Sequence, residues 1–447
     1  MASPSRPSHT RQSASRNGSR SWLMWMMVGF TAVTAGAAGA LMAYLLPQPI
    51  LATDPSVAGD NFFRANQAAN LTQVLHILIM GADDFDTTGD GSEAPDLQLG
   101  TRTDTLVLAR FDPEDRRVTL LSIPRDTQVT IPGYGIAKIN SANVLGGPVL
   151  TAQMVSELVG GIPIDRYVRL NVNGLESLVD AMGGVEVFVP YPMIYQDVTQ
   201  DLDINLEEGL QRLTGEEAHH FARFRQDELG DIGRVQRQQA LIRALSREFL
   251  RPGTWTRIPQ ILQAIRDNLD TNLTWEELLS LSKFLMGSSS ERLDMVLLPG
   301  RFSQPQEFAT SYWIPDPQGT YQVAVNHFGA LPTQGGVESP PPSRLRIAVQ
   351  NATGEVGMAR RFSQTLVGQG FGYVFPIVDD PRVLPTTQII AQQGDSRSAY
   401  EMQALLGFGE VKVESTGALE SDITVRVGRD WVDYWQHQPV PTGDPTS

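Results

Sequence analysis

Arginine is the residue type with most chemistry to offer in this chain, and it is concentrated. The stretch Phe221–Ala240, FARFRQDELGDIGRVQRQQA, carries Arg223, Arg225, Arg234 and Arg237, with Arg243 just beyond, in a chain of formal net charge -15. A basic cluster in an acidic chain suits an anionic partner. Arg223 and Arg225 alternate, which on a strand puts both on one face. Arg234 and Gln238 are four apart, which on a helix puts them on one face. Asp231, ahead of Ile232 and Gly233, suits a helix N-cap. A strand-borne arginine pair facing the first turns of a helix makes a fork-lined pocket for phosphate, because guanidinium matches phosphate oxygens and helix starts favour anions. The competing reading is a solvated, salt-bridged helix. The regular spacing and the partners upstream favour the phosphate pocket.

Those partners are acidic. The apolar run Val74–Met80 reads as a buried strand that ends in Gly81-Ala82-Asp83-Asp84, the position at which α/β sheets hold ligands. Thr101-Arg102-Thr103-Asp104-Thr105 leads into a strand over Leu106–Asp112. Pro113–Arg117 is a turn, and Val118–Ile123 is the hairpin partner, ending in Pro124-Arg125-Asp126. Three segments therefore begin or end with Asp or Arg at one edge of a sheet. Two carboxylates with phosphate oxygens suit Mg²⁺ (or Mn²⁺), a hard cation that keeps some of its waters. Such a metal on Asp83 and Asp104, with Arg102, Arg125, Arg223, Arg225 and Arg234, would hold a diphosphate and neutralise charge at a phosphorus under attack. Residues 85–100 are acidic and Gly-rich but lack the DxDxDG order of a Ca²⁺ loop, and read as a solvated loop. His219 and His220 point to different faces of a helix and read as structural. There is no nucleophile elbow, Walker A loop or HExxH, and Ser122 and Ser141 lack a partner base.

The elements that must position these groups are legible in outline. At 447 residues the chain is long enough for two or three domains, and with no cysteine it has neither disulfides nor thiolate chemistry. Residues 1–21 read as a disordered basic tail with Arg6, Arg11, Arg16 and Arg20 and no acid. Trp22–Leu46 carries no charge over 25 positions, enough for one transmembrane helix, with Trp22, Trp25 and Tyr44 at the interfaces. The positive-inside rule puts the N-terminus in the cytoplasm and the remainder outside, as a single-pass protein of the cell membrane. The run is long for a cleaved signal peptide and reads as an uncleaved anchor. Residues 47–70 read as a juxtamembrane linker.

From 71 to 327, strands and helices interleave. Strands are expected at Arg166–Asn171 and Val185–Val189, and helices at Val149–Val159, Gly174–Met182, Val235–Leu250, Ile258–Asn268 and Trp275–Met286. The fold class is α/β (α+β), with a central mixed β-sheet flanked by helices. Residues 328–342 are a Pro/Gly-rich linker. Residues 343–428 repeat a βαβ-βαβ pattern that suits a small independent domain with no catalytic constellation, and 429–447 read as a tail. The acidic exterior argues against nucleic acid as partner, and the short cytoplasmic tail cannot fold as a DNA-binding domain.

In order and spacing, IMGAD (79–83), RTDTLVLARFD (102–112), SIPRDTQV (122–129), KINSAN (138–143), LVDAMGGVEVFVP (178–190) and FARFRQDELGDIGRVQRQQ (221–239) resemble the motifs of the LytR-CpsA-Psr family over about residues 71–327. Residues 343–428, with RLRIAVQNATGEVGMA, resemble the small LytR C-terminal domain that often follows. The resemblance implies a membrane-anchored enzyme that moves a glycan phosphate from a polyprenyl-diphosphate carrier onto peptidoglycan, usually at a muramic acid hydroxyl. It implies Mg²⁺ on Asp83 and Asp104, with the diphosphate on Arg125, Arg223, Arg225, Arg234 and Gln238. It also implies a lipid tail in an apolar tunnel between sheet and helices. Thr103 stands where the family usually has Ser, and the loop between Asp83 and Asp104 is longer and more acidic than usual, which leaves Asp83 and Asp84 both open as the metal ligand. The C-terminal domain is absent from some members, so chemistry is not expected to need it. Two rivals remain: a hydrolase of the same donor, and a non-catalytic lipid- or wall-binding module or membrane-bound regulator.

Overall fold

The run LHILIMGA forms β1 (Leu75–Ala82), buried almost throughout, and a strand buried on both faces needs cover on both. The computed structural model describes residues 71–82, 103–197, 202–224, 231–287, 292–331, 341–418 and 420–436. β2 (Thr103–Asp112) runs back antiparallel to β1 and turns tightly into β3 (Arg117–Ile123). A small hairpin of β4 (Gln128–Ile131) and β5 (Gly135–Lys138) follows. Helix α1 (Ser141–Leu158) starts earlier than the apolar period suggests, because Gly146, Gly147 and Pro148 kink it near its start and the pattern reads as helix only beyond the kink. β6 (Arg166–Asn171) then lies parallel to β1 on its other side, and α2 (Val172–Met182) leaves directly from it.

Of the next four short strands only the first, at Val185–Val189, is expected from the sequence. β7 (Val185–Val189) pairs with β10 (Gly209–Leu213), and between them β8 (Met193–Asp197) pairs with β9 (Leu202–Leu206). Helices α3 (Gly215–Arg223), α4 (Asp231–Phe249), α5 (Pro252–Trp255) and α6 (Ile258–Ile265) come next. β11 (Leu269–Thr271) edges the sheet beside β6, and α7 (Trp275–Met286) leads to β12 (Leu293–Leu297), parallel to β3. β13 (Gly300–Phe302), β14 (Trp313–Pro315) and α8 (Pro317–Phe328) close the domain.

The main sheet has the order β11-β6-β1-β2-β3-β12 and is mixed, as expected. Alternate residues of its strands feed two cores. Leu78, Met80, Leu108 and Leu121 face α1 and α8, while Ile77, Val107, Ala109 and Leu120 face α4 and α7. A third core joins β7, β9, α3 and α4.

The C-terminal sheet contains β15 (Arg346–Asn351), β16 (Tyr373–Pro376), β17 (Gln388–Ala391), β18 (Glu410–Val413) and β19 (Ile423–Val427), in the order β16-β15-β19-β17-β18. α9 (Met358–Gly368) and α10 (Ser396–Leu406) cross between the parallel pairs β15/β16 and β17/β18. β19 is inserted between the two units, parallel to β15 and antiparallel to β17.

Two expectations are corrected here. The segment from 429, read as the start of a tail, begins with α11 (Arg429–Gln436). Its Trp431 is buried, edge-on to Phe362 with ring centroids 5.2 Å apart. The reading of the C-terminal domain as independent also fails. Its edge strand β18 meets the edge strand β12 of the main sheet, where Met295 bridges to Glu414, and one apolar core is continuous across both domains. Apposition covers two exposed sheet edges at once. The segment Trp22–Leu46 lies outside the described residues, and among the described residues no helix is long and apolar enough to cross a membrane.

Candidate active site

The first pair of site residues is placed by hairpin register. β2 and β3 pair Leu106 with Ile123, so continuing the antiparallel ladder by two residues sets Arg125 across from Asp104. Arg125 Nη1 donates to Asp104 Oδ1 at 2.5 Å. Asp104 stands beside the end of β1, where Ala82 pairs with Thr103 after a register shift. Gly81 permits this approach, since a Cβ there would stand 3.0 Å from the Thr105 side chain.

The loop after β3 is tied down at several points. Thr127 donates to Pro124 O through both its N–H and its hydroxyl, and Asn140 N–H donates to Arg125 O at 3.2 Å. Asp126 Oδ1 is 3.9 Å from Arg125 Nε and 3.0 Å from Lys138 Nζ. Lys138 of β5 is thus a cation beside the Arg125–Asp126 loop that charge clustering missed, because it is isolated in sequence. The motif KINSAN contained it without marking a role.

Arg223 is placed differently from the expectation. The strand reading, in which Arg223 and Arg225 share a face, is wrong for Arg223, which is the last residue of α3. The physical reason is a helix start that outweighs the alternation. Thr214 caps α3 by accepting from Glu217 N–H, and Glu217 accepts from Thr214 N–H at 2.8 Å. The helix is seated closely on α2: Gly215 N–H donates to Asp180 Oδ1 at 2.8 Å, and a Cβ at Gly215 would stand 2.3 Å from Glu176 O. At the next residue, Phe224, the backbone turns extended.

α4 begins with Asp231 and presents Arg234 and Gln238 on one face, as the four-residue spacing requires. Arg234 is buried and Gln238 half-buried. Asp104, Arg223, Arg234 and Gln238 together line a cavity of about 410 Å³ between the main sheet and α2, α3, α4 and α6. Its other walls are mostly apolar and include Ile79, Val168, Leu170, Leu175, Leu241 and Leu245.

Arg237 and Arg243 of the cluster do structural work. Arg237 is buried, donates to Phe224 O and Tyr191 Oη, and lies over the Phe224 ring at 5.5 Å, locking the turn after α3. Arg243 pairs with Glu414 of the C-terminal domain. Asp83, Asp84, Arg102 and Arg225 lie outside the described residues. His219 Nδ1 is 3.1 Å from Glu176 Oε1, and its ring also lines the cavity. Burial, reinforced by the nearby Glu216, raises the Glu176 carboxyl above its usual pKa.

The donor set near Asp104 bears on the metal. Among the described residues no group of three or more His, Cys, Asp and Glu stands together. Asp104 is a hard oxygen donor at the mouth of the cavity, which fits a cation completed by substrate oxygens and water, the mode Mg²⁺ prefers. A mostly apolar cavity with cations and a carboxylate in its lining suits one chemical class, an amphiphile with a long apolar chain and an anionic head.

Two family models match the chain. The LytR_cpsA_psr family matches residues 53–326, more than half the chain. The chain belongs to the LytR-CpsA-Psr family. The second match, over residues 344–431, is described as LytR cell envelope-related transcriptional attenuator, so this LytR-CpsA-Psr protein carries a LytR C-terminal domain. Among relatives, it is 32% identical over 288 residues to the polyisoprenyl-teichoic acid–peptidoglycan teichoic acid transferase TagV of Bacillus subtilis (strain 168), spanning 62% of this chain and 71% of TagV. It is 39% identical over 198 residues to the probable cell wall biosynthesis protein LcpB of Corynebacterium glutamicum, spanning 42% of this chain and 45% of LcpB. Among solved structures, protein gbs0355 of Streptococcus agalactiae superposes with a TM-score of 0.52 at 23% identity, over 60% of this chain and 93% of that one, and shares the fold.

Proposed function

We propose that this LytR-CpsA-Psr protein is a phosphotransferase that attaches a glycan phosphate, carried on a polyprenyl diphosphate, to peptidoglycan outside the cell membrane. The observation that carries the reading is the cavity: mostly apolar in its walls, with Arg223, Arg234, Gln238 and Asp104 all in its lining. A polyprenyl chain matches the apolar walls and a diphosphate matches the guanidinium groups. Similarity to TagV, whose name states transfer of teichoic acid from a polyisoprenyl carrier to peptidoglycan, supports the same class of donor and acceptor.

In this reading an acceptor hydroxyl attacks the sugar-linked phosphorus. The new P–O bond forms as the bond to polyprenyl phosphate breaks. Polyprenyl phosphate leaves, and the hydroxyl proton passes to a carboxylate of the site or to water. Arg125, Arg223 and Arg234 stabilise the charge that develops, from positions fixed before the reaction. Arg225, Arg102 and Asp83 join this set on sequence grounds. Mg²⁺ held by Asp104 and Asp83 would lower the charge on the bound diphosphate. The stretch Trp22–Leu46 would keep the protein at the membrane that holds its donor.

The test uses the full-length chain in detergent with a polyprenyl-diphosphate oligosaccharide and peptidoglycan fragments, with Mg²⁺ and then with EDTA, read by mass spectrometry. A phosphodiester-linked glycan on the wall fragment, lost with EDTA, is the expected product. Free glycan phosphate alone would make the protein a hydrolase. Donor binding without turnover would make it a binding module.

A further inference from the structure

The C-terminal domain touches the helix that carries two of the site residues, and it does so from behind. At about 100° per residue, Gln236 and Arg243 lie on one side of α4, while Arg234, Gln238 and Leu245 lie on the opposite side, facing the cavity. The first side is gripped by the turn that follows β18. Gln236 Nε2 donates to Gly417 O at 2.9 Å, and Arg243 pairs with Glu414.

That turn is itself fixed. The Glu414 side chain is buried and accepts from Thr416 Oγ1 at 2.7 Å. Ser415 Oγ accepts from Leu297 N–H of β12 at 2.7 Å and donates to Gln392 O at 2.8 Å. Gly417 leaves no room for adjustment, since a Cβ there would stand 2.2 Å from Thr424 Oγ1. Next to that side of α4, Gln239 Nε2 donates to Ser122 Oγ at 3.2 Å, near the end of β3 and just ahead of Arg125. The position of α4 along and about its axis is therefore set from two directions, by the end of β3 and by the 414–417 turn.

We propose that the 414–417 turn is a positioning element of the active site: by holding Gln236 and Arg243 it sets how far Arg234 and Gln238 reach toward the diphosphate. Glu414 and Gln236 are positioning residues, since neither lines the cavity. The proposal rests on the donor reading above. It also runs against the family-based expectation that the C-terminal domain is dispensable for chemistry.

The experiment measures two things on the full-length chain in detergent: affinity for geranylgeranyl diphosphate by calorimetry, and backbone hydrogen exchange over residues 231–249. The variants are Glu414→Gln, Gln236→Leu and Arg243→Lys. Gln236→Leu removes two neutral hydrogen bonds, to Ser415 O and Gly417 O, and leaves no buried charge unpaired, so it guards against simple loss of fold in Glu414→Gln. Expected are faster exchange in 231–249 and a roughly tenfold weaker affinity in the first two variants, as contacts coupled through one helix give. Arg243→Lys, which keeps the cation, stays near wild type. Wild-type exchange over 231–249 in both Glu414→Gln and Gln236→Leu would overturn the proposal, as would faster exchange with unchanged affinity. If the wild-type protein does not bind the probe, the donor reading fails and the proposal falls with it, a result distinct from variants that bind as wild type does.

Discussion

Arg125 and Asp104 face each other across the open end of the β2–β3 hairpin, guanidinium nitrogen to carboxylate oxygen, at 2.5 Å. Both side chains are partly exposed, at 20% and 28%. The pair therefore adds little to stability, about 1 kcal/mol or less. Its value is orientation, since it holds a guanidinium against Asp104, a carboxylate in the cavity lining. Replacing Arg125 by Ala should reduce glycan transfer by roughly 10²–10³-fold while moving the melting temperature little. Near wild-type transfer would remove Arg125 from the mechanism.

The apolar walls make a prediction about the donor's tail. Affinity for prenyl diphosphates should rise with chain length, by up to about 0.8 kcal/mol for each methylene buried, and then level off once the cavity is full. Leu245→Trp narrows the wall and should bring the plateau to shorter chains. A calorimetric series showing no dependence on chain length would place the tail elsewhere.

Arg166 and Glu277 form a buried, two-pronged ion pair between β6 and α7, at 3.0 and 2.7 Å. Glu277 also closes the capping box of α7 with Thr274. Glu277→Ala strips the partner from a buried guanidinium and removes the cap together. A loss of about 3–5 kcal/mol is expected in urea unfolding of the domain. A loss under about 1 kcal/mol would show that water reaches Arg166.

The seam between the domains should be acid-sensitive. Burial alone would raise Glu414, but Arg243 and Arg426 bring it below the usual carboxylate range. Burial likewise opposes Asp380, and Arg382 more than offsets it. A depressed carboxylate stabilises the fold above its unfolded pKa, about 3.9 for Asp and 4.3 for Glu, and that contribution is lost as pH falls through the lower folded value. Stability of the C-terminal domain should therefore hold from neutral pH down to the mid-4s and fall below that, with a shallower fall in Glu414→Gln. Equal acid profiles for the two proteins would contradict the assignment.

Gly215 offers a purely steric test. A methyl group there meets the backbone of Glu176, so Gly215→Ala must push α3 off α2 and carry Arg223 with it. Weaker donor binding with the rest of the domain folded is the expected result. Unchanged binding would show that Arg223 does not need this seat.

The strong local signals were enough to define four of the six strands of the main sheet and half of the site. Apolar runs give β1 and the middle of β2 and β3, because strands buried on both faces leave little other composition; β6, RYVRLN, is not such a run. The short turn between β2 and β3 then sets Arg125 against Asp104, since antiparallel register follows from turn length. The spacing of Arg234 and Gln238 likewise required one helical face. Elsewhere local spacing misled. The alternation of Arg223 and Arg225 read as strand, yet the capping box at Thr214 and Glu217 and the seat of Gly215 on α2 put Arg223 on a helix end. Charge clustering could not divide the arginines by role. Arg237 and Arg243 have the same chemistry as Arg234 and differ only in the direction the helix points them, toward Phe224 and toward Glu414. The joining of the two domains is still further from the sequence. It depends on which sheet edges remain unpaired after each sheet has formed, and an edge exists only in three dimensions. Sequence alone therefore determined those strands, the β2–β3 hairpin and the family. Tertiary packing decided which arginines meet the cavity, and brought the C-terminal domain against the back of the helix that carries them.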